Sequence, residues 1–144
     1  MAKPEVKFPD EWIEVSTIIV DISKELRLTM THGTETSLER YHDMLNKLTG
    51  AYMFFTPLFK HYSALKMNND RAKYLELKNA WNVEQDGKFV SKTAEYEASA
   101  FVKDYRLARD WLEGQMLAAE KGFQNIKKQI DTQLEEQQLQ KKSN

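Results

Sequence analysis

The sequence predicts an all-α fold: amphipathic helices, among them a kinked middle helix and a long C-terminal helix, in one domain that self-assembles into a helical oligomer. Three observations carry this. Apolar residues recur at three- and four-residue spacing along most of the chain. Only 5 Gly and 3 Pro occur in 144 residues, which leaves little material for turns. Charged residues make up 30% against 41% hydrophobic ones, a balance that suits elongated or assembled helices better than a compact globule.

Each element follows in order. Residues 1–9 hold two prolines and read as an extended arm. Asp10 reads as the cap of a first helix, with Glu11 and Glu14 in its first turn complementing the dipole. Trp12, Val15, Ile18, Ile19, Ile22 and Leu26 give that helix its apolar face. The β-branched run "STIIVDI" would also suit a short strand, but the charged residues on the opposite side favour a helix. "MTHGTETS" is a break containing Gly33, and a second helix starts near Thr36 or Ser37. Leu38, Tyr41, Leu45, Leu48, Tyr52 and Phe55 line it. Pro57 removes a backbone donor and crowds the preceding turn, so a kink or restart is expected near Phe55–Thr56. The pattern resumes through residue 81, weakest at "NNDR".

Residues 82–92 read as a loop around Asp86-Gly87, with "GKFVSKT" a candidate short strand or hairpin arm. A long helix over 93–136 follows, its seam running through Ala94, Ala98, Phe101, Tyr105, Ala108, Leu112, Met116, Ala119, Phe123, Ile126, Ile130 and Leu134. The spacing is a heptad rhythm with stutter-like steps, and the helix is about 60 Å long. Gly114 and Gly122 each cost about 1 kcal/mol against Ala, which implies a local bend or a close approach. Residues 137–144 are polar and read as a flexible, fraying tail.

Composition narrows the function. There is no cysteine, which excludes disulfides, thiolate metal sites and a cysteine nucleophile. The start, "MAKPEVKFPDEW", lacks the apolar stretch of a signal peptide, and no window reaches the roughly 18 apolar residues of a membrane span. A cytoplasmic protein without a membrane partner is expected. His32, His42 and His61 are scattered, with no metal-ligand spacing. HExxH, GxSxG, GxGxxG and P-loop patterns are missing. Glu95 and Glu97 are accounted for by a helix start. The expectation is a protein without catalytic residues, metal or cofactor.

Net charge is −1, so any polyanion would have to be met by a local patch. Residues 60–128 hold 13 basic and 10 acidic side chains, residues 1–59 hold 6 and 9, and the candidate patch therefore lies downstream of residue 59. Lys60, Lys66, Arg71, Lys73 and Lys78 fall within residues 60–81 beside only Asp70 and Glu76, with Tyr62, Tyr74 and Trp81 interleaved. Lys88 and Lys92 extend the tract. Cations for phosphates beside rings for bases are what a sequence-tolerant single-strand binder uses; a solvated helix face with its rings in the core is the plainer account of the same residues. Lys103, Arg106 and Arg109 alternate with Asp104 and Asp110 and read as a salt-bridged face. Tyr105 and Trp111 read as packing residues.

The seam of the long helix exceeds what two shorter upstream helices would cover. Phe101, Tyr105, Ala108, Leu112, Met116, Ala119, Phe123, Ile126 and Ile130 are therefore expected to join copies of the chain into a homo-oligomer.

Three short stretches, "LELKNAW" with Lys78, "SKTAEYEA", and "EKGFQNIKKQI" from Glu120 to Ile130, carry a likeness. Together with the basic tract and the long C-terminal helix, they make residues 60–131 resemble the UvsY-type recombination mediators of T-even-like phages. Ala80 stands where that family's Leu-Lys-Ala-Arg motif has arginine. The resemblance implies a helical, ring-forming protein that binds single-stranded DNA without sequence preference. It also implies partners, a RecA-like recombinase and a single-strand-binding protein, and, if phage-encoded, a place in the bacterial host cytoplasm. The alternative from another class is a helical phage assembly, structural or adaptor protein with no nucleic-acid role.

Overall fold

The computed structural model describes residues 7–33, 36–84 and 91–143. These form four helices and, among the described residues, no strand: α1 (Asp10–His32), α2 (Leu38–Glu84), α3 (Ser91–Phe101) and α4 (Lys103–Ser143). The fold is all-α. No helix among the described residues is long and apolar enough to cross a membrane.

The helix starts show where local chemistry decides. Pro9, not Asp10, caps α1: its extended backbone turns the chain in, and its carbonyl accepts from the Trp12 and Ile13 amides at 3.0 and 3.3 Å. Asp10 is instead the first helical residue, where its charge complements the dipole. Gly33 closes α1 in the left-handed region, at φ 64°, which glycine adopts without a Cβ penalty. Ser37 caps α2, its Oγ accepting from the Arg40 amide at 3.1 Å.

α2 then runs 47 residues without ending or restarting at Pro57. The proline deprives the Met53 carbonyl of its donor. Met53 is 68% exposed and Pro57 is exposed too, so water is at hand on that side and the helix continues. At "NNDR" the helix also persists, the Asn69 amide donating back to the Leu65 carbonyl at 2.7 Å.

The expected single helix over 93–136 is interrupted once, at Val102, between α3 and α4. The Val102 amide still donates to the Ala98 carbonyl, and the Arg106 amide to the Val102 carbonyl. The difference lies at Ser99, whose carbonyl accepts from the Arg106 guanidinium; in an unbroken helix that carbonyl belongs to the Lys103 amide. The same guanidinium nitrogen reaches Ser99 Oγ at 2.8 Å. Downstream, α4 includes the polar segment expected as a flexible tail and stays helical to Ser143.

The chain divides into two compact units, Phe8–Thr56 with Glu113–Asn144, and Pro57–Leu112. The first is a three-helix bundle. α1 and the start of α2 are antiparallel: Arg40 grips Glu25 through two nitrogens at 2.9 and 2.5 Å, and the Thr29 and Thr36 hydroxyls share a hydrogen bond of 3.1 Å. α2 and α4 are also antiparallel, with Tyr52 OH donating to Glu120 at 3.2 Å, and Gln133 Nε2 donating to the Thr36 carbonyl at 2.5 Å. Ser16 donates to Gln115 across the α1–α4 contact at 2.8 Å. The core holds Trp12, Ile19, Ile22, Leu26, Tyr41, Met44, Leu48, Ala51, Phe55, Ala119 and Ile126. Arg40's hydrogen bond, more than its field, holds the Glu25 carboxyl below its ordinary value of 4.5, while the bond to Glu120 raises the Tyr52 phenol.

In the second unit the later part of α2 packs against α3 and the first turns of α4. Its fully buried positions are small or branched: Ala94, Ala98, Val102, Ala108 and Leu112. Tyr62 and Tyr105 meet at 6.5 Å between ring centroids, fixing α2 against α4.

The seam expected to join copies is largely consumed within the chain. Ala108, Leu112, Ala119 and Ile126 are buried, and Tyr105, Met116, Phe123 and Ile130 are half-buried. The reason is the length of α2: it runs 47 residues, longer than the upstream helices were expected to be. Of the nine seam residues only Phe101 is exposed, at 57%.

Candidate nucleic-acid interface

The basic tract lies on α2 within the Pro57–Leu112 unit. Helical geometry sorts its cations into two sets. At 100° per residue, Lys60, Arg71 and Lys78 fall within about 20° of one another, because steps of 11 and 7 residues are close to whole turns. All three are exposed, and none forms an ion pair with another described residue. The acids of the tract lie elsewhere: by the same geometry Asp70 is about 80° to one side of Lys60 and Glu76 about 160° round. Up to residue 81, the other residues within about 60° of Lys60 are uncharged, namely Ser63, Ala64, Met67, Tyr74, Leu75 and Trp81. The result is a cationic stripe about 27 Å long, with Asp70 as the nearest acid of the tract beside it.

The second set points inward. Lys73 is paired with Glu76 at 3.4 Å, and its Nζ lies 5.2 Å from the centre of the Phe101 ring. That makes it a tie between α2 and α3, with its charge already engaged. Lys66 is half-buried and lines a cleft of about 490 Å³ with Asp70, Arg71, Tyr74, Glu95, Ala98, Ser99 and Arg106. Arg71 belongs both to the stripe and to this cleft. The cleft is of mixed charge, with Lys66, Arg71 and Arg106 against Asp70 and Glu95.

The three aromatic residues divide in the same way. Tyr62 sits on the far side of α2 from the stripe, against Tyr105 and 5.5 Å from the His61 ring, so it is a packing residue. Tyr74 lines the cleft, and Trp81 is half-buried; both lie about 40–60° from the stripe. Lys88 lies outside the described residues. Lys92 is exposed in the first turn of α3. The cluster expected to be salt-bridged is split: Arg109 pairs with Asp110 at 2.8 Å, Arg106 is held by Ser99, and Lys103 is exposed with no ion pair to a described residue.

Sequence reasoning missed Tyr96. It is exposed on α3 at 78%, more than any other large apolar or aromatic side chain among the described residues. The available signal was its spacing, four residues after Lys92 and seven before Lys103.

No protein-family model, characterised protein or solved structure matches this chain.

Proposed function

We propose that this chain is a non-catalytic accessory protein that binds single-stranded DNA and acts as a recombination mediator, helping a RecA-like recombinase onto strands held by a single-strand-binding protein. The observation that carries the DNA-binding part is the stripe of Lys60, Arg71 and Lys78 on the exposed face of α2. A chain of net charge −1 attracts phosphates only through such a local concentration of cations. The likeness of residues 60–131 to UvsY-type mediators supports the narrower role.

Binding of a fluorescent oligothymidine, followed by anisotropy across a salt series, tests this reading. The three phosphate contacts of the stripe contribute about −2 to the slope of log affinity against log salt. Replacing Lys60, Arg71 and Lys78 by Gln makes the slope shallower by that amount. A wild-type slope of zero, or no binding at low salt, rejects the DNA reading. Delivery of a recombinase onto coated strands is then a separate assay of the mediator role.

The helical assembly or adaptor reading draws on different residues. Ile13, Val20 and Leu28 are exposed on α1 and give a second copy or a partner an apolar surface.

A further inference from the structure

We propose that Tyr96, on the outward face of α3 between Lys92 and Lys103, the first residue of α4, is a base-stacking residue for the same single strand that the α2 stripe engages. This rests on the single-strand reading and adds a second contact surface to it.

The geometry is specific. α3 buries Ala94 and Ala98, with Val102 continuing that side, and so fixes which face looks outward. Tyr96 follows Lys92 by four residues, and Lys103 follows Tyr96 by seven. Val102 joins the two helices, its amide donating to the Ala98 carbonyl and its carbonyl accepting from the Arg106 amide, and Lys103 opens α4 just after it. Lys92 and Tyr96 lie about 40° apart on α3 with a rise of about 6 Å between them, and Lys103 follows seven residues on. All three are exposed, and neither lysine forms an ion pair with a described residue. The neighbouring acids Glu95 and Glu97 project about 100° to either side.

A phenol this exposed contributes little to the core. A large aromatic ring in water is unfavourable unless something covers it. The two lysines indicate what does. A cation on each side of an uncovered ring offers charge to two phosphates and a flat face to the base between them, the arrangement by which sequence-tolerant proteins hold single strands. Glu95 and Ser99 of α3 line the same cleft as Arg71, so α3 and the Arg71 position of the α2 stripe border one opening, along which the strand passes in this proposal.

The test uses the full chain, an oligothymidine and a matched strand of abasic sites. Tyr96→Leu removes the ring at an exposed position without disturbing the core, and Tyr96→Phe keeps the ring. Loss of one stacked base weakens Tyr96→Leu on oligothymidine by about tenfold. Tyr96→Phe binds as wild type, all three proteins bind the abasic strand equally, and the salt slope is the same for all. Equal binding of oligothymidine by wild type and Tyr96→Leu, with a normal salt slope, overturns the stacking role and leaves the stripe intact. Equal weakening on both strands also overturns it, because the phenol would then act on backbone and not bases. A wild-type salt slope of zero overturns this proposal together with the reading it rests on.

Discussion

Gly122 on α4 lies against Leu48 on α2 so closely that a Cβ added to the glycine would stand 2.8 Å from Leu48 Cδ1. Leu48 is itself 1% exposed, so its isobutyl end has no solvent space into which to withdraw. Gly114, on the same helix, has nothing within 4 Å of its notional Cβ. Two helical glycines thus carry opposite meanings.

Gly114→Ala is expected to stabilise the protein by about 1 kcal/mol, the intrinsic helix preference with no steric cost. Gly122→Ala forfeits that gain to the clash and leaves stability unchanged or lower. Urea denaturation of the two variants distinguishes them. Pairing Gly122→Ala with Leu48→Ala, compared with Leu48→Ala alone, recovers the stabilisation because the obstructing methyl group is gone.

The Glu25–Arg40 pair makes stability depend on acid. Glu25 has a folded pKa below its ordinary 4.5, so its contribution is complete above that value and is lost as pH falls through the lower folded pKa. Both side chains are more than a third exposed, which limits the effect to at most about 1 kcal/mol after solvent screening. Glu25→Gln should therefore be less stable than wild type at pH 7, with the gap closing as pH falls below 4.5. A gap that persists unchanged to pH 2 would show that the side chain acts through packing instead.

Lys73 and Phe101 should behave as a structural pair. Removing either loses a cation–π contact of about 0.5–1 kcal/mol, and a double-mutant cycle on thermal stability should show them coupled. Lys73→Gln should weaken oligothymidine binding less than Lys60→Gln does. An equal or larger loss of binding would return Lys73 to the phosphate-contacting set.

Leu112→Ala and Ile126→Ala should each cost about 2–5 kcal/mol, since both side chains are at 0% exposure. The measurement that matters is size-exclusion chromatography with light scattering beside denaturation. The expected result is a less stable chain with an unaltered association state. A change in association without loss of stability would reinstate these positions as an assembly seam.

Much of the fold was legible because its signals are local. The periodicity of Ile19, Ile22 and Leu26, the break at Gly33 and the helix start near Ser37 are each decided within a few residues, and each lies where the pattern put it. The misreadings arose where distant chain segments decide. At Pro57 the sequence left a kink or a restart open because the effect on the preceding turn is local, whereas the exposure of Met53 that softens it is a property of the folded unit. The full length of α2, which covers much of the α4 seam, was likewise not visible locally. The interruption at Val102 depends on a guanidinium four residues downstream reaching back to Ser99, which no propensity encodes. At the site, the count of cations in residues 60–81 was legible, but their partition was not. Whether Lys73 faces Phe101 or solvent depends on where α3 packs, and the exposure of Tyr96 depends on Ala94 and Ala98 being the buried positions of α3.

The alanines beneath α3 also set how firmly that helix is held. An 11-residue helix whose buried contacts within its own length are the methyl groups of Ala94 and Ala98 has little apolar surface to lose on detaching, and isolated helices of that length are marginal in water. α3 should accordingly open well below the global unfolding free energy, exchanging its amide hydrogens sooner than α1 or the start of α2. Tyr96 is carried on this weakly anchored segment. A strand lying across it would bind only the docked form, so occupancy should slow amide exchange in α3 selectively, and the affinity of the strand would include the free energy of keeping that helix in place.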